Sequence, residues 1–327
     1  MLDKFLRKKK AARNDLVKYQ DVYHYNQGKL QAYVATGKVE SAVALPNGWF
    51  PWEQLHVLTI PEFNWVKAAE VTFIQSARVD YPLLMRSLAY GYIQTALDYY
   101  QLHHFFARFG REMDGAIAAH SIFRLCLAEL AGLDKEARQL YQVFSTGYKR
   151  DWFIRSNSHI GDVLLLIYSR YLEKRHLEKK RLENLDLEKR GLERPEYGET
   201  LEPRVDDFSY PDVLAHWDST DLKQVTAVLQ RLCDEQVAQA ASPPSKFFTE
   251  FKTGNWCYIP YSALFVLKLR QNLGLANPSF SHPGFGELTA LMPTGPMNMM
   301  VDEFLEGALT RLRSQGFDEQ AFFALRR

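Results

Sequence analysis

The sequence predicts a mainly α protein, built as an irregular array of stacked antiparallel helices with a few short strands near residues 40–66. Three observations predict it. Apolar side chains recur at helical spacing through most segments after Pro82. Those runs open at Pro or Asp and close at Gly. No self-similarity at 33 to 47 residues marks a solenoid. A chain of 327 residues is long enough to bury a substantial core.

The elements follow in order. Residues 3–35 form a candidate helix with a basic start. Residues 42–65, AVALPNGWFPWEQLHVLTIPEFNW, hold three prolines and a Pro-Asn-Gly turn signal, which places the short strands there. Pro82 opens a helix and Gly110 closes it, with Leu84, Leu88, Tyr92, Ala96, Tyr99, Leu102 and Phe106 on its repeating positions. A second helix is predicted from about Asp114 to Leu130, rich in small residues. A third starts at Asp134 as N-cap. A fourth runs from about Trp152 through DVLLLIYSRYL into the charged segment beyond it. Leu222, Val225, Leu229, Leu232 and Gln236 mark an amphipathic helix, with Asp221 and Gln224 spaced as a capping box. YIPYSALFVLKLRQNLG (258–274) is apolar on nearly every side through Leu269 and reads as a central, buried helix. The last helix spans about Met299 to Gln315, with acids early, bases late and Gly316 after it. The organisation is an N-terminal segment (1–66), a helical region (67–171), a charged extension with an acidic linker (172–221), and a C-terminal helical region (222–327) packed on the first as one globular unit.

Residues 172–196 read LEKRHLEKKRLENLDLEKRGLERPE, with a Leu-Glu pair every five residues from Leu172 to Leu192. On an α-helix a five-residue step turns about 140° past a full turn, so these leucines scatter around the cylinder and form no coiled-coil seam. A five-residue β-helix fails as well. It needs small residues two places before each Leu, where this chain has Arg170, Arg175, Lys180, Leu185 and Arg190. The segment is a tandem low-complexity insertion, a solvated continuation of the helix before it.

Charge is local. The net charge of the chain is +1, so no global field points to nucleic acid or membrane. Residues 170–194 carry nine bases and six acids, whereas residues 195–221 carry eight acids against Arg204 alone, a net of −7. Tyr197, Phe208, Tyr210 and Trp217 are interleaved with those acids. This stretch is the most partner-like feature of the chain. The plainer reading is a solvated connection between two helical halves.

A search for chemistry finds little. The three cysteines, Cys126, Cys233 and Cys257, are widely separated and form neither a disulfide framework nor a zinc pattern. There is no HExxH, no GxSxG, no GxxxxGK[ST] and no GxGxxG after a strand. His103 and His104 are adjacent and point apart on a helix. His120 lies among alanines as a core or interface residue. His282, in SHPGFG, is the strongest catalytic candidate of the nine histidines and has no partner legible in the sequence. Met292, Met297, Met299 and Met300 flank a Pro-Gly turn, as gap-fillers or as an adaptable surface. No catalytic residue, metal site or cofactor is assigned. The basic N-terminus lacks an apolar run after it, and IGDVLLLIYSRYL is too short and too charged to span a bilayer. These features predict a cytoplasmic protein.

GNWCYIPYSALFVLKLRQNLGL (254–275) combines an aromatic entry, a Pro-Tyr step, an apolar helix and a Leu-Gly-Leu close. With SLAYGYIQTALDYY and AELAGLDKEARQLYQVF before it, this resembles the cytosolic immunity proteins of bacterial polymorphic toxins, including those paired with type VI secretion effectors. The resemblance implies a helical, non-enzymatic protein that binds a cognate toxin, such as a nuclease with a basic groove, and blocks its active site or its activation. The acidic stretch is complementary to such a groove, with Glu199, Glu202, Asp206, Asp207, Asp212 and Asp218 as contacts and Trp217 as an aromatic anchor. No nucleic acid or membrane partner is implied, and exposed aromatics and a long charged helix permit a homodimer. The rival readings are a helical scaffold that reads a peptide or small ligand in a groove, and an unrecognised enzyme.

Overall fold

The structure is a computed structural model that describes residues 1–13, 28, 30–37, 58–110, 117–153, 159–187, 201–203, 209–242, 250–251 and 256–318. The described chain is mainly helical, as the periodicity predicts. Its helices are α1 (Leu2–Ala12), α2 (Thr59–Ser76), α3 (Tyr81–Phe109), α4 (Ile122–Leu130), α5 (Asp134–Lys149), α6 (Ile160–Leu187), α7 (Pro211–His216), α8 (Leu222–Ala241), α9 (Tyr261–Asn272) and α10 (Glu303–Ser314). Residues 30–36 are also helical. The short strands are β1 (Ser281–His282) and β2 (Gly286–Glu287), antiparallel, with Ser281 opposite Glu287.

Helix α4 is the hub. Every one of its residues is buried, including Arg124 and Glu129, and it packs against α3, α5, α6 and α9. Helix α9 is its partner in the centre, buried from Tyr261 to Leu267, as its all-round apolar sequence requires. The long α2 and α3 lie side by side, α5 and α6 flank the hub, and α1 packs on α8 and α2. One continuous core runs from Phe5 at one end of the chain to Leu312 and Phe317 at the other.

Local chemistry sets the ends. Asp80 caps α3 by accepting from the Leu83 N–H at 3.2 Å, Pro82 lies in its first turn, and Gly110 ends it at φ +62°. Asp221 caps α8 through the Lys223 N–H. The capping box is completed by Ser219, whose hydroxyl accepts from the Asp221 N–H and donates to Gln224. Asp302 caps α10 through the Leu305 N–H at 3.0 Å.

The helix predicted over 3–35 does not run through, since α1 ends at Ala12 with Arg13 as its C-cap. Four other boundaries differ from the sequence reading. Residues 59–66 belong to α2, with Pro61 in its first turn, where a missing N–H leaves no hydrogen bond unmade. The remainder of the predicted strand region, 40–57, lies outside the described residues. Helix α4 begins at Ile122 because the Ile117 N–H is taken by the Trp152 carbonyl, in a bridge that pairs Ile117 with Phe153. The same bridge engages the Trp152 carbonyl, and α6 starts at Ile160. Residues 296–301 are not helical and lead into α10, with the Met297 N–H bound to the Ala131 carbonyl and the Met300 N–H to the Met85 carbonyl. Helix α6 does continue through the pentads to Leu187. Residues 66 and 67 are neighbours within α2, and 171 and 172 within α6, so both positions lie inside helices.

Candidate functional site

Several described groups that could carry chemistry make contacts that hold the fold. His282 is 2% exposed. Its Nδ1 accepts from the Gly284 N–H at 3.1 Å, which leaves Nε2 as the protonated nitrogen, 3.2 Å from the Asp234 carboxylate. Both ring nitrogens are committed, one to closing the β1–β2 turn and one to tying it to α8. The partner absent from the sequence reading is therefore Asp234, and its role is structural. His120 faces Phe63 at 5.2 Å, and burial together with the nearby Arg124 pushes it down to about 3. It stays neutral. All three cysteines are buried, and burial pushes the Cys126 and Cys233 thiols up, away from the nucleophilic thiolate.

Four buried carboxylates remain among the described residues: Glu250, which accepts the Gly161 N–H at 3.0 Å, and three on the helices. Glu62 on α2 makes a two-pronged pair with Arg124 on α4, at 2.7 and 2.6 Å, and Arg124 also donates to the Thr95 hydroxyl at 2.8 Å. The pair crosses α3 at Gly91, where a Cβ would sit 2.8 Å from Arg124 Nε. Glu129 accepts from Tyr168, Tyr171 and Asn272. Glu70 accepts the Tyr258 N–H at 2.8 Å, with the Cys257 and Ile259 amides also turned toward it. Burial raises all three carboxyls above their ordinary range.

The Glu70 contact explains the motif at 254–275. Trp256 sits at φ +65°, a left-handed conformation that is strained for a bulky residue. The backbone is held there from both sides. Glu70 takes the amides, and the Gln236 side-chain N–H donates to the carbonyls of Trp256, Cys257 and Ile259 at 3.3, 3.1 and 2.7 Å. The aromatic entry to α9 is thus a buried clamp.

The acidic stretch is different, because its described backbone is held at several points while Glu202 and Asp212 stay exposed. Leu201 is buried and its N–H donates to Ser169 on α6 at 2.9 Å, while Tyr148 donates to the Glu202 carbonyl. Tyr210, Val213, Leu214 and Trp217 are buried. The turn after α7 is held by Arg270, itself fully buried on α9, which donates to the Trp217 and Ser219 carbonyls at 2.9 Å each. Arg170 on α6 donates to the Leu214 carbonyl. Between these anchors Glu202 and Asp212 are exposed. Asp218 is half-buried and paired with Lys174 of α6. Trp217, expected as a surface anchor, is only 1% exposed. It is a core residue, because the α7 turn folds inward to meet Arg270. Glu199, Asp206 and Asp207 lie outside the described residues, and only Glu202, Asp212 and Asp218 of the predicted contacts are placed. Arg170 and Arg270 were missed as the residues that shape this surface. Their bonds go to backbone carbonyls, which leave no mark in the sequence.

Comparison with family models, curated proteins and solved structures finds no match for this chain. Among the described residues no helix is long and apolar enough to cross a membrane, and no group of His, Cys, Asp and Glu is arranged to hold a metal ion.

Proposed function

We propose that this protein is an immunity-type inhibitor that binds a cognate bacterial toxin domain in the cytoplasm and neutralises it by covering a basic surface such as a nuclease groove. The observation that supports this reading is the anchored acidic rim. Leu201, Tyr210, Val213, Leu214 and Trp217 are buried, whereas Glu202 and Asp212 project from the same backbone. Backbone that is already held at these anchors loses little conformational freedom on binding, which raises affinity without more contact area. Clustered carboxylates steer a cationic partner and speed association, in a manner that salt screens.

The test is capture of the tagged full chain from the cells that make it, followed by binding kinetics with the captured partner. A single stoichiometric partner built as a secreted toxin is expected. The Glu202→Lys/Asp212→Lys variant should associate about tenfold or more slowly at low salt, with the difference shrinking at high salt. The reading is overturned if the captured partner is a host protein or a small molecule, or if the charge-reversed chain binds and protects as well as the original.

A further inference from the structure

Four of the seven methionines fall within nine residues, at Met292, Met297, Met299 and Met300. The segment that carries them, residues 292–301, is not helical and runs as a strap past the start of α3 and the end of α4. It is pinned to α3 at both ends. The Tyr81 hydroxyl donates to the Leu291 carbonyl at 2.7 Å, and the Tyr90 hydroxyl donates to Asp302 at 2.6 Å. Tyr81 and Tyr90 lie about 14 Å apart along the axis of α3. Between the pins the Met297 N–H donates to the Ala131 carbonyl at 2.8 Å, and the Met300 N–H to the Met85 carbonyl at 3.3 Å. Pro296 lies over Gly132, where a Cβ would meet it at 3.5 Å.

The four side chains are not equivalent. Met292, Met297 and Met299 are half-buried and pack against the core. Met300 is 39% exposed, and its neighbours Asn298 and Val301 are exposed as well. Met85 beneath the strap is only 1% exposed. A thioether is oxidised according to how freely the oxidant reaches it, and the sulfoxide that forms is polar. At Met300 the new oxygen would stand in water. At Met297 or Met299 it would be set against apolar side chains, where an unpartnered polar group is costly.

We propose that the strap is a graded oxidation site for hydroperoxides. Met300 reacts first and leaves the fold as it was, whereas Met297 and Met299 react later and weaken the hold of the strap on α3 and α4. The step is a two-electron oxygen transfer. The O–O bond of the peroxide breaks, one oxygen bonds to the thioether sulfur, and the remainder leaves as water or, from an organic hydroperoxide, as an alcohol. Sulfur is oxidised and the peroxide reduced, with no further reactant.

The effect stays local. The pins at Tyr81 and Tyr90 are made through oxygen atoms and do not involve the sulfurs, and Asp302 still caps α10 through the Leu305 N–H. Loosening is confined to the bonds that the Met297 and Met300 amides make between the pins. The exposed Met300 thereby consumes oxidant at no structural cost before the sulfurs that rest on the core are reached. The strap shares no residue with the acidic rim.

The experiment treats the full chain with hydrogen peroxide, in buffer and in urea, and follows each methionine by peptide mass spectrometry. Met300 should react within about threefold of its rate in urea, whereas Met297 and Met299 should be slowed about tenfold or more, and Met85 further still. Amide exchange is then read at each stage. With Met300 alone oxidised, the Met297 and Met300 amides should exchange as in the parent. Once Met297 and Met299 carry oxygen, those amides should exchange about tenfold or more faster. Met297→Leu/Met299→Leu keeps the apolar volume and should lose this acceleration, whereas Met300→Leu should keep it. The proposal is overturned if Met300 is as protected as Met297 and Met299, or if the strap amides respond already to oxidation of Met300 alone. It is equally overturned if they ignore oxidation of the other two, or if the double leucine variant responds as the parent does.

Discussion

The Glu62–Arg124 pair can be taken apart one partner at a time. Both side chains are buried, at 0 and 2% exposure, and their bonds at 2.6 to 2.7 Å join α2 to α4 across α3. Arg124→Met removes the only cation on a carboxylate that has no access to water. Breaking a buried pair this way costs about 3–5 kcal/mol. Glu62→Leu does the reverse and leaves a buried guanidinium with the Thr95 hydroxyl and the attraction of Asp98, at a similar cost. The double variant Glu62→Leu/Arg124→Met replaces both charges with apolar groups and orphans little, since the Thr95 hydroxyl still donates to the Gly91 carbonyl at 2.8 Å. It should lie within about 2 kcal/mol of the parent. Urea unfolding at pH 7 of the four proteins gives the coupling directly, and about 3 kcal/mol or more is expected. Additive losses, or single variants that cost under about 1 kcal/mol, would refute the account of this pair as mutually dependent.

Gly91→Ala should disturb the same crossing, because its Cβ would press on the pair, and a fall of several degrees in thermal midpoint is expected by calorimetry. Gln236→Leu removes the donor from three buried carbonyls and should cost about 2–3 kcal/mol in urea, with raised amide exchange confined to the 256–259 clamp. Asp302→Ala removes both the α10 cap and the acceptor of the Tyr90 hydroxyl, for a loss of about 2 kcal/mol. Glu70→Gln keeps an acceptor for the Tyr258 amide and removes the buried charge. The parent's stability should therefore fall by about 2–3 kcal/mol between pH 5 and pH 8 relative to the variant, with the variant the more stable at pH 8.

Much of the helical frame was legible because its signals are local. Asp80, Pro82 and Gly110 bracket α3 within a few residues of its ends, and the apolar run from Tyr261 identifies a central helix without any knowledge of its neighbours. Helix α2 was not legible. It buries Glu62, Lys67 and Glu70 along with its apolar residues, which erases the contrast between faces that periodicity depends on. The start of α4 was missed for a nonlocal reason, since the Trp152 carbonyl that claims the Ile117 N–H is far along the chain. The surface was legible as a net charge and not as a shape. Nothing in DVLAHWD distinguishes an outward Asp212 from an inward Trp217 until Arg270 is placed behind it. Glu62 and Arg124 are 62 residues apart and would each read as a solvated charge.

The pentads of α6 also bear on how this chain can change. Tyr171 is fully buried, Leu172 to Leu177 are part-buried or exposed, and the backbone stays helical for 16 residues after Tyr171. Adding or deleting one Leu-Glu unit there lengthens or shortens the overhang by about 7.5 Å and rotates its tip by about 140°. Neither change shifts the register of any side chain up to Tyr171. Gain or loss of whole units would therefore yield helical extensions of graded length on an unaltered body.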